Sequence, residues 1–235
     1  MNGSGYPKGF YETQQSFDFF NYAGIDRSVH LYAILNTSIK DISLTTSYKN
    51  STGIVNYDIT YESKEKLESI KLLVEVYDQN DVLVKNQTSD LKGSVEIPKV
   101  QLWWPFTMND VFGYQYNIKF SLINGNTLLD TYYQKTGIRT IKWTENQFLI
   151  NEKPFYFRGF GKHEDLNVRK GLLKVLVNKQ KSHLYQIRGK GLDIPLIVKD
   201  INLIKWLGAN SFRTSHYPYS EGISYNSYYP FLSFN

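Results

Sequence analysis

The 235-residue chain carries 27 Lys and Arg against 22 Asp and Glu, a formal net charge of +5, with 41% apolar and 16% aromatic residues and no cysteine. That apolar and aromatic content excludes a disordered chain, and the missing cysteines exclude disulfides and thiol chemistry. Four of the five excess charges, Lys170, Lys174, Lys179 and Lys181, fall in the acid-free segment 170–187, which reads as a solvated basic loop. Without a recognisable reading element this charge argues for no nucleic-acid partner, and no stretch reaches the roughly 20 apolar residues of a membrane span.

Residues 1–37 are too short for a domain of their own. Phe17, Phe19, Phe20, Tyr22, Val29, Leu31 and Tyr32 suggest the last strands of a β domain whose remainder is absent. Asp18 lies inside this aromatic run, and two readings stay open for it: a turn or cap residue, or a carboxylate reaching a polyhydroxylated ligand. The opening MNGSGYPKGF lacks the apolar run of a signal peptide. Sequons at Asn2, Asn36, Asn50 and Asn86 would accept glycans in the secretory pathway.

Residues 38–141 alternate with period two. Val55, Tyr57, Ile59 and Tyr61 form one apolar set, Ile70, Leu72, Val74 and Val76 a second, and Tyr114, Tyr116, Ile118, Phe120 and Leu122 a third. Asp78-Gln79-Asn80-Asp81 and Asn124-Gly125-Asn126 supply the turns. About seven short strands over roughly 100 residues predict an immunoglobulin-like β-sandwich. Trp103-Trp104-Pro105 fits a sandwich edge or bulge better than a sugar-stacking platform.

From residue 142 the pattern changes. Phe155 to Phe160 predicts a short apolar strand. Asp193 is placed to cap a helix with Pro195 in its first turn, a stripe of Ile197, Ile201, Ile204 and Leu207, and a stop at Gly208. Ser211 to Thr214 predicts a second strand, giving a parallel βαβ unit that would open an α/β barrel or a doubly wound sheet. His163 and His216 follow these two strands, at the end where barrel active sites gather, although a buried hydrogen-bonded histidine is an equal reading. Arg213 either points into the barrel toward a carboxylate partner outside this chain or is exposed.

The segments FDFFNYAGIDRSVHLY (17–32), LWWP (102–105), TGIRT (136–140), FLINEKPFYFRGFGKHED (148–165), RGKGLDIPLIVKD (188–200) and WLGANSFRTSHYPY (206–219) occur in order. Together they resemble the β-glucuronidases of glycoside hydrolase family 2. The resemblance implies three parts: the C-terminal strands of a jelly-roll sugar-binding domain at 1–37, an immunoglobulin-like sandwich at 38–141, and the start of a catalytic (β/α)8 TIM barrel at 142–235. It implies a retaining enzyme that releases terminal β-D-glucuronic acid from glycosaminoglycans or glucuronide conjugates. No metal or organic cofactor is implied. A homotetramer and a lysosomal or secreted location are.

By the same resemblance Asp18, His163 and His216 bind substrate, and Arg213 supports the catalytic nucleophile. Two segments depart from the family pattern, 170–187 and 222–235, and read as non-family sequence. The family's two catalytic glutamates belong to later barrel strands, so no catalytic residue is assigned in this chain and the chain alone is expected to be inactive. A β-galactosidase or β-mannosidase of the same family, or a non-catalytic carbohydrate-binding module, is the alternative.

Overall fold

The computed structural model describes residues 24–25, 29–169, 186–190, 194–215, 217, 219 and 232–234. Phe17, Phe19, Phe20 and Tyr22 of the expected jelly-roll strands, Asp18, residues 170–185 and His216 therefore lie outside the described residues, whereas Val29, Leu31 and Tyr32 are described and form no strand, standing exposed ahead of the sandwich.

Seven strands build the sandwich in chain order: β1 (Thr37–Lys49), β2 (Thr52–Ser63), β3 (Ile70–Tyr77), β4 (Leu83–Ser89), β5 (Lys92–Pro98), β6 (Tyr116–Asn124) and β7 (Thr127–Thr136). They form a three-stranded sheet, β1-β2-β5, facing a four-stranded sheet, β4-β3-β6-β7, with antiparallel pairing throughout. The alternation read from sequence is the core: Val55, Tyr57 and Ile59 from one sheet meet Leu72, Val74, Val76, Tyr116, Ile118, Phe120 and Leu122 from the other. Each fully buried side chain of this size contributes about 1.5–3 kcal/mol of apolar burial. Tyr57 packs edge-on against Phe120, with ring centroids 5.7 Å apart.

The fourth strand lies beside β3, whereas in the constant-type immunoglobulin arrangement it joins the opposite sheet. The β3–β4 turn explains this. Asp78 Oδ1 accepts hydrogen bonds from the amides of Asn80 and Val82, and the Asp78 amide donates to the Val82 carbonyl. So tight a reversal returns the chain to its own neighbour. The β6–β7 hairpin closes through Gly125 and Asn126, and Gly125 sits at φ +59°, where glycine carries no steric cost.

A small meander follows: β8 (Ile141–Trp143), β9 (Phe148–Ile150) and β10 (Lys153–Pro154). Its second turn holds Asn151 and Glu152 at φ +49° and +63°, both left-handed as a two-residue primed turn requires. The barrel portion contains β11 (Gly159–Lys162), β12 (Asp165–Arg169), β13 (Gln186–Lys190), α1 (Ile194–Trp206), β14 (Ser211–Thr214) and β15 (Leu232–Phe234). β12 and β13 pair antiparallel from Asp165↔Lys190 to Arg169↔Gln186, so the basic segment joins the two arms of a hairpin. β11, β14 and β15 form one parallel sheet in that order.

Two expectations are corrected. The strand predicted from Phe155 begins only at Gly159. The backbone of 156–158 hydrogen-bonds to Asn210 instead of a ladder, with the Arg158 amide and Tyr156 carbonyl on its side chain and the Arg158 carbonyl on its backbone amide. Leu207 is 64% exposed and outside the helix stripe. Trp206 is the last helical residue, and the backbone then reverses at Gly208, φ +71°. The amide of Gly208 reaches the Lys205 carbonyl and that of Ala209 reaches Ile204, a Schellman cap that turns Leu207 outward. The remaining stripe, Ile197, Ile201 and Ile204, packs on Phe212 and Ala209.

Candidate functional site

The parallel pair β11–β14 fixes which side chains share a face. Gly159, Gly161 and Lys162 pair with Ser211, Arg213 and Thr214, and alternation puts Arg213 and Ser215 on one face with the glycines opposite them. Phe212 takes the other face, against α1. Lys162 lies on that face too, its ammonium 2.9 Å from Asp200 Oδ2 on the helix. His163 continues the β11 face that carries Gly161. The glycines let the strands approach: a Cβ on Gly159 would sit 2.4 Å from the Ser211 carbonyl oxygen, and one on Gly161 would sit 3.0 Å from Ser215 Oγ.

The ladder extends past the strand ends. The Ser215 amide donates to the Lys162 carbonyl at 2.9 Å, and the Tyr219 hydroxyl donates to the same carbonyl. Lys162 Nζ reaches the His163 carbonyl at 3.3 Å and lies 5.7 Å from the Tyr219 ring centroid. The backbone carrying His163 is thus held from the helix, from β14 and from the following loop. Arg213 is exposed on its face, as one of the two sequence readings has it, and donates from Nη1 to Ser215 Oγ at 3.2 Å. It lines a shallow cleft of about 270 Å³ with Phe157 and Phe160. Glu164, next along the chain, is buried at 2% exposure.

Beneath this rim the sandwich and the barrel strands are joined by a polar clamp that sequence reasoning missed. Buried Asn210 accepts from the Arg158 amide at 2.9 Å through Oδ1. Through Nδ2 it donates to the Tyr156 carbonyl at 3.0 Å and to Thr107 Oγ1 at 3.1 Å. Buried Asn151 accepts from the Thr140 amide and donates to the Trp103 carbonyl. Asparagine can serve donor and acceptor at once, and no periodicity marks such a residue. The only signal is an Asn set next to a turn or a strand start. The Lys162–Asp200 link was likewise unseen, since Asp200 reads as an ordinary helix-surface acid.

Trp103 and Trp104 are buried, at 6% and 7% exposure, and offer no stacking platform. Gly137 lies against Trp103 so closely that a Cβ there would be 2.6 Å from the ring. The Arg139 guanidinium stacks 4.6 Å from the same ring centroid, and its burial lowers its pKa from the usual arginine value. The TGIRT and LWWP segments therefore act together as packing.

His163, Arg213 and Ser215 thus share one face, with Ser215 buried and the Arg213 guanidinium exposed, a donor group suited to a polyhydroxylated or anionic ligand. His216 and Asp18 lie outside the described residues. Among the described residues no group of three or more His, Asp or Glu gathers as a metal site.

Comparison with known proteins gives concordant matches. The family described as glycosyl hydrolases family 2 matches residues 37–139, and its TIM barrel domain matches 167–225. The chain is 44% identical over 223 residues to the β-glucuronidase of Chlorocebus aethiops, covering 94% of this chain and 31% of that protein. It is 42% identical over 218 residues to that of Rattus norvegicus, covering 93% and 30%. Among solved structures, a β-D-glucuronidase of Dictyoglomus thermophilum superposes with TM-score 0.72 at 36% identity, covering 99% of this chain and 35% of that one. The apo β-glucuronidase of Ruminococcus gnavus gives 0.66 at 28% identity, covering 85% and 29%. The chain therefore spans about a third of the length of these relatives.

Proposed function

The chain belongs to glycosyl hydrolase family 2, and on that premise we propose that it is part of a retaining β-glucuronidase, contributing the sandwich and the opening strands of the catalytic barrel. The observation that carries this reading is the 42–44% identity to mammalian β-glucuronidases across nearly the whole chain. The substrates are terminal β-D-glucuronides of glycosaminoglycans or small conjugates. His163 and His216 contact the sugar from the ends of the first two barrel strands, and Asp18 reaches it from the preceding β segment. Arg213 steadies the nucleophile from the barrel face that it shares with Ser215.

Retaining hydrolysis needs an acid/base carboxyl and a nucleophilic carboxylate about 5–5.5 Å apart. The reading assigns both to later barrel strands, none of them β11, β14 or β15, so the 235-residue chain alone does not turn over. Lys162, pinned to Asp200 and bridged to β14, sets the position of the His163 backbone before substrate arrives, which serves catalysis by keeping the sugar in one pose. A homotetramer and a lysosomal or secreted location complete the proposal.

A chimera tests it directly: this chain replaces the matching third of the Dictyoglomus thermophilum enzyme. The chimera is expected to hydrolyse an aryl β-D-glucuronide in preference to the matching β-galactoside and β-mannoside. His163→Ala should lower kcat/KM by about 100-fold, the scale of a lost positioning contact. A folded chimera that prefers the galactoside or mannoside contradicts the assignment.

A further inference from the structure

The β1–β2 hairpin ends in a feature that the hydrolase reading leaves unused. Lys49 and Thr52 are its last paired residues, so Asn50 and Ser51 alone make the turn. Asn50 stands at φ +56°, the positive value that primed hairpin turns need at their first central position and that asparagine adopts more readily than most residues. Val100 donates its amide to the Ser51 carbonyl at 2.9 Å, which holds the tip in place. Asn50 and Ser51 are both exposed, and Thr52 is half-buried at the start of β2. Asn50-Ser51-Thr52 is thus an acceptor triplet for N-linked glycans, displayed at a fixed, solvent-facing turn.

Asn2, in another such triplet, lies outside the described residues. The remaining two lack the combination found at Asn50. Asn36 precedes β1, and the hydroxyl residue of its triplet, Ser38, is buried at 6% exposure. The Asn36 carbonyl accepts from the Lys64 amide, and the Thr37 hydroxyl is 2.7 Å from Ser63 Oγ. Ile34 and Leu35 stand exposed just ahead of it, an apolar surface unsuited to a sugar. Asn86 is exposed, but it lies within β4, where the ladder sets it opposite Glu75 of the Glu75–Lys119 ion pair. A glycan on Asn50 instead stands in solvent at the end of β1, the outer strand of its sheet. It displaces no buried contact, and it adds bulk beside a strand edge, where proteins need to block unwanted pairing.

We propose that Asn50 is an N-glycosylation site of this chain. A bond forms between Asn50 Nδ2 and C1 of an oligosaccharide carried on a lipid pyrophosphate. The C1–O bond breaks, the lipid pyrophosphate leaves with its electron pair, and the amide nitrogen gives up one proton. The proposal rests on the lysosomal or secreted location given above, since this transfer belongs to the secretory pathway.

The test is translation of the 235-residue chain, behind a cleavable signal peptide, into microsomes. Occupancy is read at each asparagine by peptide mapping after enzymatic deglycosylation in heavy-oxygen water. Supplying the leader separates the two readings, because the site is tested wherever the native chain resides. The larger part of the protease-protected chain is expected to carry the label on Asn50. Asn50→Gln and Thr52→Ala should each remove the same single deglycosidase-sensitive step on a gel, the second while leaving the asparagine in place. Neither readout requires the variant to fold. Protected chain with an unlabelled Asn50 peptide overturns the proposal, as does a gel pattern that both variants leave unchanged.

Discussion

Asn210 shows how one side chain can hold two parts of a protein together. Its amide replaces a missing ladder beside residues 156–158 and reaches Thr107 in the sandwich. Asn210→Ala leaves a buried amide and carbonyl unpaired, and should destabilise the barrel strands by about 2–4 kcal/mol, read as a lower urea midpoint. Asn210→Asp keeps the acceptor and loses both donors, so it should recover only part of that loss. A second residue-scale prediction concerns Glu75. Its hydrogen bond from Lys119, a 2.7 Å ion pair on the half-buried outer sheet face, is the main cause that lowers its pKa below 4.5, helped by a bond from the Tyr77 hydroxyl. With a folded pKa below the unfolded one, the stabilisation is complete above the ordinary carboxylate range and disappears as pH falls through the depressed value. Denaturation midpoints measured downward from pH 4.5 should drop more steeply in the parent than in Glu75→Gln. Equal slopes would contradict this. At this scale the sequence was legible in position, since His163 directly follows β11 and Arg213 lies on β14, as the pattern placed them. It was silent on Asn210, Asn151 and Asp200, whose roles depend on which backbone groups the tertiary fold leaves unpaired.

At the scale of elements, period-two alternation located the sandwich strands because one face of each is buried and the other wet. The same rule failed at Phe155 to Phe160. Apolar content there comes from packing, with the rings of Phe155 and Phe157 meeting edge-on at 4.8 Å, and a side-chain amide takes the place of a neighbouring strand. It failed at Leu207 as well, because a helix stripe counted by residue type does not register where the cap reverses the chain. The register of β11 on β14 leaves no space at Gly159, where a Cβ would meet a backbone carbonyl that cannot rotate away. Gly159→Ala should therefore strip amide-exchange protection from residues 211–214 while the amides of Leu72, Val74 and Phe120 keep theirs. Uniform loss across both regions would show that the two units unfold as one.

For the whole molecule, the described parts are a closed sandwich and an open three-stranded parallel sheet with one helix upon it. The sandwich covers its own core. The helix leaves Leu203, Trp206 and Leu207 exposed beside it, an apolar surface that further barrel elements would bury. The isolated chain is accordingly expected to self-associate, and size-exclusion chromatography should show species larger than the 27.4 kDa monomer. A monodisperse monomer with a single cooperative melt would contradict that. Family membership was legible in six ordered segments, since they record packing and rim chemistry together. The paired β12–β13 arms around the basic segment were not, because the pairing joins residues on either side of that segment and no local pattern records it.

The central claim is that this chain carries the positioning side of a glucuronide site while the catalytic carboxylates come from elsewhere. The most direct measurement is hydrolysis of an aryl β-D-glucuronide by the purified 235-residue chain. The account predicts no turnover above a buffer control. Turnover that His216→Ala abolishes would contradict it.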